Sequence, residues 1–560
     1  MHDALPRAVI TDFFQKREAS HRVDVLVLLI LFGVALFQSL GRLPLIEPDE
    51  GRYAEIPREM LEHNDFLTPR LNYVKYFEKP PLYYWLNCIS FSLFGQNEFA
   101  ARFFSALSAL LGILLTYQIG RAVFGRREGL LAAMVLGTSM GYLVQGRLNT
   151  TDMALSLFMT ATLGFFLLAS GQDAHRRTLY FYLSCACAAL AVLTKGPIGI
   201  ILPGAIIALY LAAGNRWSSL RVIPRARGIA IFLLLSAPWF ILVSIRNPEF
   251  PRFFFVTMHL QRFLAPDEHF QPLWFFIPIL LGFMFPWSCF LPAAASRFWN
   301  GRGENGAACR SFLWLWLIVI FCFFSLSRSK LVTYILPSFP AVALLVGHGL
   351  SGACDGNFKI IRRQAYAVCL LLIIGAIGIA LYPMLVATPR IALHHCAVIG
   401  MLLLAEGLLC LTAARRGDTV KLVMVLCAMS YILGIVAPPG AFEILASEKS
   451  EKKLGLLVRE RASPEALVAS YGWYDQDLPF YTQRRIAVVG TRGELAFGSR
   501  QERGSAWFPS YGEFSRLWDS GRPIFLLIKR RDMPLFDKSV KAPIRVLGRE
   551  AKNVLITNQK

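Results

Sequence analysis

The chain has 560 residues, 55% of them hydrophobic, and a formal net charge of +21. A soluble core could not absorb that much apolar sequence, and the mean hydropathy of +0.48 excludes an ordinary globular enzyme. The basic residues are dispersed among apolar runs, which argues against nucleic-acid binding and for Lys- and Arg-rich cytoplasmic loops beside anionic membrane lipids.

The first 22 residues are polar and precede a long apolar run without an A-x-A-like cleavage site, which predicts a retained signal anchor. Apolar runs then predict membrane spans near 23–40, 99–124, 128–146, 152–171, 178–195, 197–214, 228–246, 273–296, 311–328, 331–350, 364–386, 391–413 and 419–438. The expected fold class is an α-helical polytopic membrane protein of about 13 transmembrane helices over 1–445, with a C-terminal soluble α/β domain over 446–560.

One apolar piece, 80–95, opens with Pro80-Pro81 and is too short to cross. Charge fixes its placement. If it lies at the interface, Arg121/Arg126/Arg127, Arg176/Arg177, Arg216/Arg221/Arg225/Arg227, Arg297/Arg302/Arg310, Lys359/Arg362/Arg363 and Arg415/Arg416 all share the N-terminal side. That is the positive-inside pattern, and a crossing at 80–95 would invert it. The piece reads as a juxtamembrane helix with Tyr83, Tyr84 and Trp85 as interfacial anchors. Segments 41–98, 147–151, 247–272, 327–330 and the C-terminus then lie outside.

After Pro438-Pro439-Gly440 the composition changes. Strands are expected at Ala466–Tyr471, Ile486–Val489, Pro523–Ile528, Arg545–Leu547 and Val554–Thr557, with helices at 449–461 and Tyr511–Asp519. The eleven cysteines fall in apolar segments or cytoplasmic loops at spacings that match no metal site, so no disulfide framework is expected.

The chemistry concentrates in the outer loops. Glu47-Pro-Asp-Glu-Gly-Arg-Tyr53 and Phe77-Glu-Lys-Pro-Pro81 gather acids and bases where the bilayer ends. Asp49 and Glu50 read equally as the cap of a helix over 52–63. Their company, Arg52, Arg58, Glu78 and Lys79, suits a phosphate and a sugar. Cations bind the phosphate, and carboxylates orient hydroxyls or amines, hold a metal or take a proton. Asn149-Thr-Thr-Asp152 follows Arg147 at another outer end, and its plain reading is a helix cap. Lys195, in Leu193-Thr-Lys-Gly-Pro197, is a lone cation at an outer span end, where snorkelling or a lipid phosphate would stabilise it. Arg328 and Lys330 repeat that pattern, with Tyr334 close by. His259 with Glu78 would suit a divalent cation such as zinc or manganese if the fold brought them together. There is no CxxC, no HExxH and no GxxxxGK[ST] loop, so a nucleotide cofactor and an ATP-driven pump are disfavoured.

These motifs, with Thr-Lys-Gly-Pro at 194–197, Ser-Lys-Leu…Tyr-Ile-Leu-Pro at 329–337 and Leu-Pro-Phe-Tyr at 478–481, resemble the bacterial 4-amino-4-deoxy-L-arabinose lipid A transferases. Those are polyprenyl-phosphate-dependent glycosyltransferases of the GT-C class, related to protein O-mannosyltransferases. The resemblance runs in order over nearly the whole chain. It implies inverting transfer from an undecaprenyl-phosphate sugar to lipid A phosphate, with the active site and C-terminal domain on the periplasmic face of the bacterial inner membrane. It implies Asp49 as the acid of the first outer loop, Glu78 and His259 as a pair contacting a divalent metal (Zn, Mn or Mg), and Arg52, Lys79, Lys195 and Tyr334 as phosphate-cavity residues. The loop around 252–262 would be the mobile loop near the donor.

Taken together, the catalytic candidates are Asp49, Glu78, Lys79 and Asp152. The substrate- and phosphate-binding candidates are Arg52, Tyr53, Arg58, Tyr76, Lys195, Arg262, Lys330 and Tyr334. The expected partners are the undecaprenyl-phosphate donor, lipid A and membrane lipids. Two other readings compete. One is a GT-C transferase of another polyprenyl-linked sugar, such as mannose, to protein or envelope glycan. The other is a multi-span transporter or flippase, which would need charges inside broken spans near the midplane.

Overall fold

Long apolar helices form most of the chain. A computed structural model describes residues 21–171, 174–217, 225–261, 270–300, 307–355, 357–386, 393–501 and 506–559. Among the described residues, nine helices are long and apolar enough to cross a membrane: Glu98–Val123, Thr151–Ala169, Arg176–Lys195, Arg225–Arg246, Ala307–Leu326, Val332–Cys354, Arg362–Leu385, Leu393–Arg415 and Thr419–Ala437. A bent pair, Leu273–Phe283 and Trp287–Ser296, meets at 105° and makes ten if taken as one broken span.

Every one of the 13 expected spans has helical residues, and the three beyond these ten are shorter or split among the described residues. His21–Phe37 has 17 residues and Ile198–Ala213 has 16. The span expected at 128–146 splits into Arg126–Gly137 and Met140–Gln145. The split falls at Thr138-Ser139, whose hydroxyls donate back to the carbonyls of Met134 and Val135, both at 2.6 Å. Such back-bonding competes with the helix ladder.

Val332–Cys354 runs through the middle of the bundle, with 89% of its apolar window buried, while Arg225–Arg246 and Arg362–Leu385 bury only 22% and turn apolar flanks outward. Indole N–H groups inside the bundle find partners: Trp287 donates to Thr138 Oγ1 at 2.9 Å and Trp316 to the Pro337 carbonyl at 2.8 Å.

The short apolar piece forms helix Leu82–Phe94, which ends at Gly95 in a positive-φ conformation and is too short to cross. Its aromatics do not all anchor at the interface as expected. Tyr83 and Tyr84 are fully buried against Tyr53. Trp85 alone is partly exposed, donating to the Phe66 carbonyl at 2.8 Å. Before it lies helix Asp49–His63, which begins ahead of the expected 52, and a hairpin of β1 (Arg70–Leu71) and β2 (Val74–Lys75). Both turn residues, Asn72 and Tyr73, have positive φ, as a tight two-residue hairpin demands.

The C-terminal sheet contains β3 (Leu467–Tyr471), β4 (Ala487–Val489), β5 (Ile524–Lys529), β6 (Arg545–Glu550) and β7 (Asn553–Thr557) in the order β4-β3-β5-β7-β6. β3 is parallel to β4 and β5, and β7 is antiparallel to β5 and β6. Alternation along the strands covers both faces. Ala469, Leu526 and Ile556 pack with Phe514, Trp518 and Phe536, while Val468, Leu527 and Leu555 pack with Leu454 and Val458. All five expected strands are present to within a few residues. The expected domain start at 446 falls inside the helix Thr419–Lys449.

Candidate functional site

A buried ion pair fixes the first outer loop. Glu50 accepts from Arg102 Nε at 2.8 Å and Nη2 at 2.7 Å, with both side chains almost wholly buried. Arg102 also donates to the carbonyls of Leu40, Leu43 and Pro44. Glu50 Oε1 accepts the Asn149 N–H at 2.7 Å, and Asn149 Oδ1 accepts from Tyr83 and Asn87 at 2.8 and 3.0 Å. This network locks the turn before Asp152 to the helix that carries Asp49. Glu50 is thus the strut of its motif, and Asp49 faces away from that network.

Two acid–base pairs result. Arg52 bonds Asp49 through Nη2, and through Nη1 reaches Glu494 at 2.6 Å and Tyr76 OH at 3.3 Å. Lys195 Nζ is paired with Asp152, and lies 5.0 Å from the centroid of the Tyr334 ring. Asp152 caps nothing: helix Thr151–Ala169 starts after Thr150, without a side-chain cap, and the carboxylate goes to Lys195 instead. The pairs belong to one place. Asp49 is within electrostatic reach of Lys195, and Tyr53 feels Arg52, Asp49 and Asp152 together.

The field at the loop reflects this crowding. Burial opposes the charge on Arg52, but Tyr76, Glu494 and Asp49 more than offset it and hold the guanidinium charged. Burial raises the Glu494 carboxyl above its ordinary value, Arg52 pulls it down and the Glu78 charge pushes it up, with a net rise. Glu78 therefore shares the neighbourhood of Glu494 and Tyr76.

Gly196 makes a sharp turn after Lys195 at φ 85°. A Cβ there would fall 2.8 Å from His259 Nε2 and 2.9 Å from Phe254. His259 donates from Nδ1 to the Phe254 carbonyl at 2.6 Å, which aims Nε2 at this turn. The segment expected as a mobile loop is a π-helix, Arg252–Gln261, a rare form often found at functional sites. Phe253 stacks on Phe497 at 3.9 Å, and Glu249 pairs with Lys75 at 2.6 Å, so the segment touches both the hairpin and the C-terminal part.

Other candidates sit elsewhere. Arg58 is roughly two-thirds of a turn from Arg52 around the helix. It is occupied by Glu55 at 2.6 and 2.7 Å and Glu62 at 2.7 Å, an ion pair within its own helix. Lys330 donates to the carbonyls of Gln271, at 2.9 Å, and Ser327, pinning two outer turns together. Burial lowers its pKa. Lys79 donates to the Glu78 carbonyl at 3.2 Å. Arg262 lies outside the described residues. Among the described residues no group of three or more His, Cys, Asp or Glu suits a metal ion. Glu78 and His259 would supply two donors to such an ion. None of the eleven cysteines forms a disulfide.

Sequence reasoning missed Glu494 and Gln476, whose Nε2 donates to Glu494 at 2.9 Å. Neither stands in a motif, and each reaches the first outer loop from the C-terminal part across more than four hundred residues.

Residues 78–242 match the family model described as dolichyl-phosphate-mannose-protein mannosyltransferase, and 454–558 match the aminoarabinose transferase C-terminal domain. A curated relative from Pseudomonas fluorescens, undecaprenyl phosphate-alpha-4-amino-4-deoxy-L-arabinose arabinosyl transferase 2, is 36% identical over 336 residues. That stretch is 59% of this chain and spans 60% of the relative's length. The crystal structure of ArnT from Cupriavidus metallidurans bound to undecaprenyl phosphate superposes with a TM-score of 0.86 at 30% identity, covering 96% of this chain and 99% of that one. The oligosaccharyltransferase AglB from Archaeoglobus fulgidus shares the fold, with a TM-score of 0.52 at 14% identity over 91% of this chain and 70% of its own. A likeness of that extent to a solved ArnT, with the matching C-terminal domain behind the membrane helices, makes this chain a member of the aminoarabinose transferase (ArnT) family.

Proposed function

We propose that this protein is an integral-membrane glycosyltransferase that moves 4-amino-4-deoxy-L-arabinose from undecaprenyl phosphate to a phosphate of lipid A. It works at the periplasmic face of the bacterial inner membrane. The observation that carries this reading is the meeting of two cation–carboxylate pairs, Arg52–Asp49 and Lys195–Asp152, at the outer ends of the helices. The likeness to an ArnT bound to undecaprenyl phosphate supports the donor class. The basic clusters on the opposite side support the orientation.

The acceptor phosphate is anionic at neutral pH and needs no strong general base. Its oxygen attacks the anomeric carbon from the face opposite the donor phosphate. A new carbon–oxygen bond forms, the bond to undecaprenyl phosphate breaks with its electron pair, and the configuration inverts. Developing charge on the leaving phosphate is what the protein must stabilise. Lys195 and Arg52 supply cations there, with Lys79 on the same loop. Asp49 and Asp152 hold those cations in place while they wait, and orient the sugar. Tyr334 keeps Lys195 on the bundle side of the site.

The test is the mass of lipid A in membranes holding the wild-type protein or the Asp49→Asn, Glu78→Gln pair. The wild type should add one aminopentose per modified phosphate and the double variant none. Unmodified lipid A with the wild type, alongside a newly glycosylated protein, would favour the other GT-C reading.

A further inference from the structure

Where the C-terminal part meets the first outer loop, Glu47, Glu451, Asp475 and Asp477 are packed together, and among the described residues no ion pair reaches any of them. Asp477 is wholly buried, both of its carboxylate oxygens lack a hydrogen-bond partner, and it presses on Gly51, where a Cβ would collide with it. Glu451 accepts from Asn553 Nδ2 at 2.6 Å through one oxygen, and its other oxygen is buried without a partner. Asp475 accepts the N–H groups of Asp477 and Leu478 at 3.1 and 2.8 Å. Glu47 takes only a long N–H from Gln476 at 3.4 Å.

The surrounding charges do not neutralise this cluster. Glu50 faces Asp477 and is itself taken up by Arg102. Glu550 faces Glu451 and is held by Lys453 at 2.8 Å. Tyr481 faces Asp477 and bonds Glu98, which is held by Lys452 at 2.6 Å. Lys529 is the base that acts on Glu47 and Asp475, and it sits 4.5 Å over the Trp473 ring without a salt bridge to either acid.

We propose that this cluster is a proton-operated latch: protons held by Glu47, Glu451, Asp475 and Asp477 keep the C-terminal part seated on the outer loop, and their loss to solvent unseats it. Buried like charges in a low-dielectric seam cannot all ionise. Burial, with repulsion from Asp475, pushes Glu47 up to about 8, and the same causes push Glu451 up to about 8. Asp475 rises to about 6, chiefly by burial, and Asp477 rises by burial and by repulsion from Asp475. These acids gain protons on seating, so the seat is firmest below the ordinary carboxylate values. It weakens as pH climbs from about 4.5 to about 8. The consequence reaches the transfer site. Gln476 lies between Asp475 and Asp477 and bonds Glu494, which holds Arg52, so unseating the latch withdraws Glu494 from Arg52.

The test is hydrogen–deuterium exchange on the full chain in lipid nanodiscs from pH 6 to pH 9, with labelling times scaled for intrinsic exchange. A single latch proton lost per seat weakens protection tenfold per pH unit, less as pH nears the raised value of about 8, so peptides covering 45–53 and 474–482 should lose about fiftyfold between pH 6 and pH 8. The bundle helix Phe339–Cys354 should not change. Glu451→Gln should shrink the loss, and Asp477→Asn gives a second, independent reading. Protection in the wild type that ignores pH would overturn the proposal. So would protection at pH 7 that EDTA removes and calcium restores, because a bound divalent ion would then neutralise the acids.

Discussion

Arg52 Nη1 meets Glu494 Oε2 at 2.6 Å across 442 residues of chain. The helix that opens the first outer loop is therefore completed by the part of the protein made last. Arg52→Lys keeps the charge but loses the fork that grips Asp49 and Glu494 together. Its transfer rate should fall about 10²-fold, the scale of one preorganised charge donor. Steady-state kinetics in nanodiscs checks this, and a rate within threefold of wild type would place Arg52 outside the site.

Glu494 itself should give the enzyme an acid limb. Its carboxyl titrates above its ordinary 4.5, mainly through burial. As pH falls through that raised value, Glu494 takes a proton and its grip on Arg52 weakens. Activity should drop on the acid side at a pH above 4.5. Glu494→Gln should have a lower plateau and no such limb, as read from a rate profile between pH 4.5 and pH 7.

Lys195 and Tyr334 allow a graded comparison. Lys195→Ala removes a cation from the leaving phosphate and should cost about 10²–10³-fold in kcat. Tyr334→Leu removes only the ring under the ammonium, an interaction worth about 0.5–2 kcal/mol, so a loss of roughly two- to thirtyfold is expected. Equal losses would mean that Tyr334 touches substrate directly.

The two expectations for His259 differ in their response to metal. If His259, packed on the Gly196 turn, positions Lys195, His259→Ala should lower the rate roughly tenfold, alike with and without EDTA. Gly196→Ala, whose Cβ meets the same ring, should lower it similarly. A wild-type rate abolished by EDTA and restored by zinc or manganese would instead make Glu78 and His259 metal ligands.

What the sequence revealed, and what it hid, follows from range. The membrane class and the C-terminal strands were legible because hydropathy and alternation are local signals. Lys195 stood out because a cation at an outer span end needs a partner. The partner itself, Asp152, had a satisfying local explanation as a cap, and only the fold turned it toward Lys195. Arg58 shows the opposite case: it sits in the same motif but about two-thirds of a turn round the helix from Arg52, paired with Glu55. Glu50 was legible as charged but not as a strut, because Arg102 lies 52 residues away.

That strut makes a stability prediction. Removing one partner of a buried ion pair leaves the other charge stranded, at a cost of about 3–5 kcal/mol. Arg102→Ala should lower the thermal midpoint of the detergent-solubilised protein markedly more than Arg127→Ala, whose partner Asp355 is exposed.

The most direct measurement is transfer by the purified, reconstituted protein offered undecaprenyl phosphate carrying 4-amino-4-deoxy-L-arabinose or mannose, with lipid A or a serine-rich peptide as acceptor. The account predicts product only from the aminopentose donor and lipid A, lost in both Asp49→Asn and Lys195→Ala. Transfer of mannose to the peptide, or full activity in either variant, would contradict it.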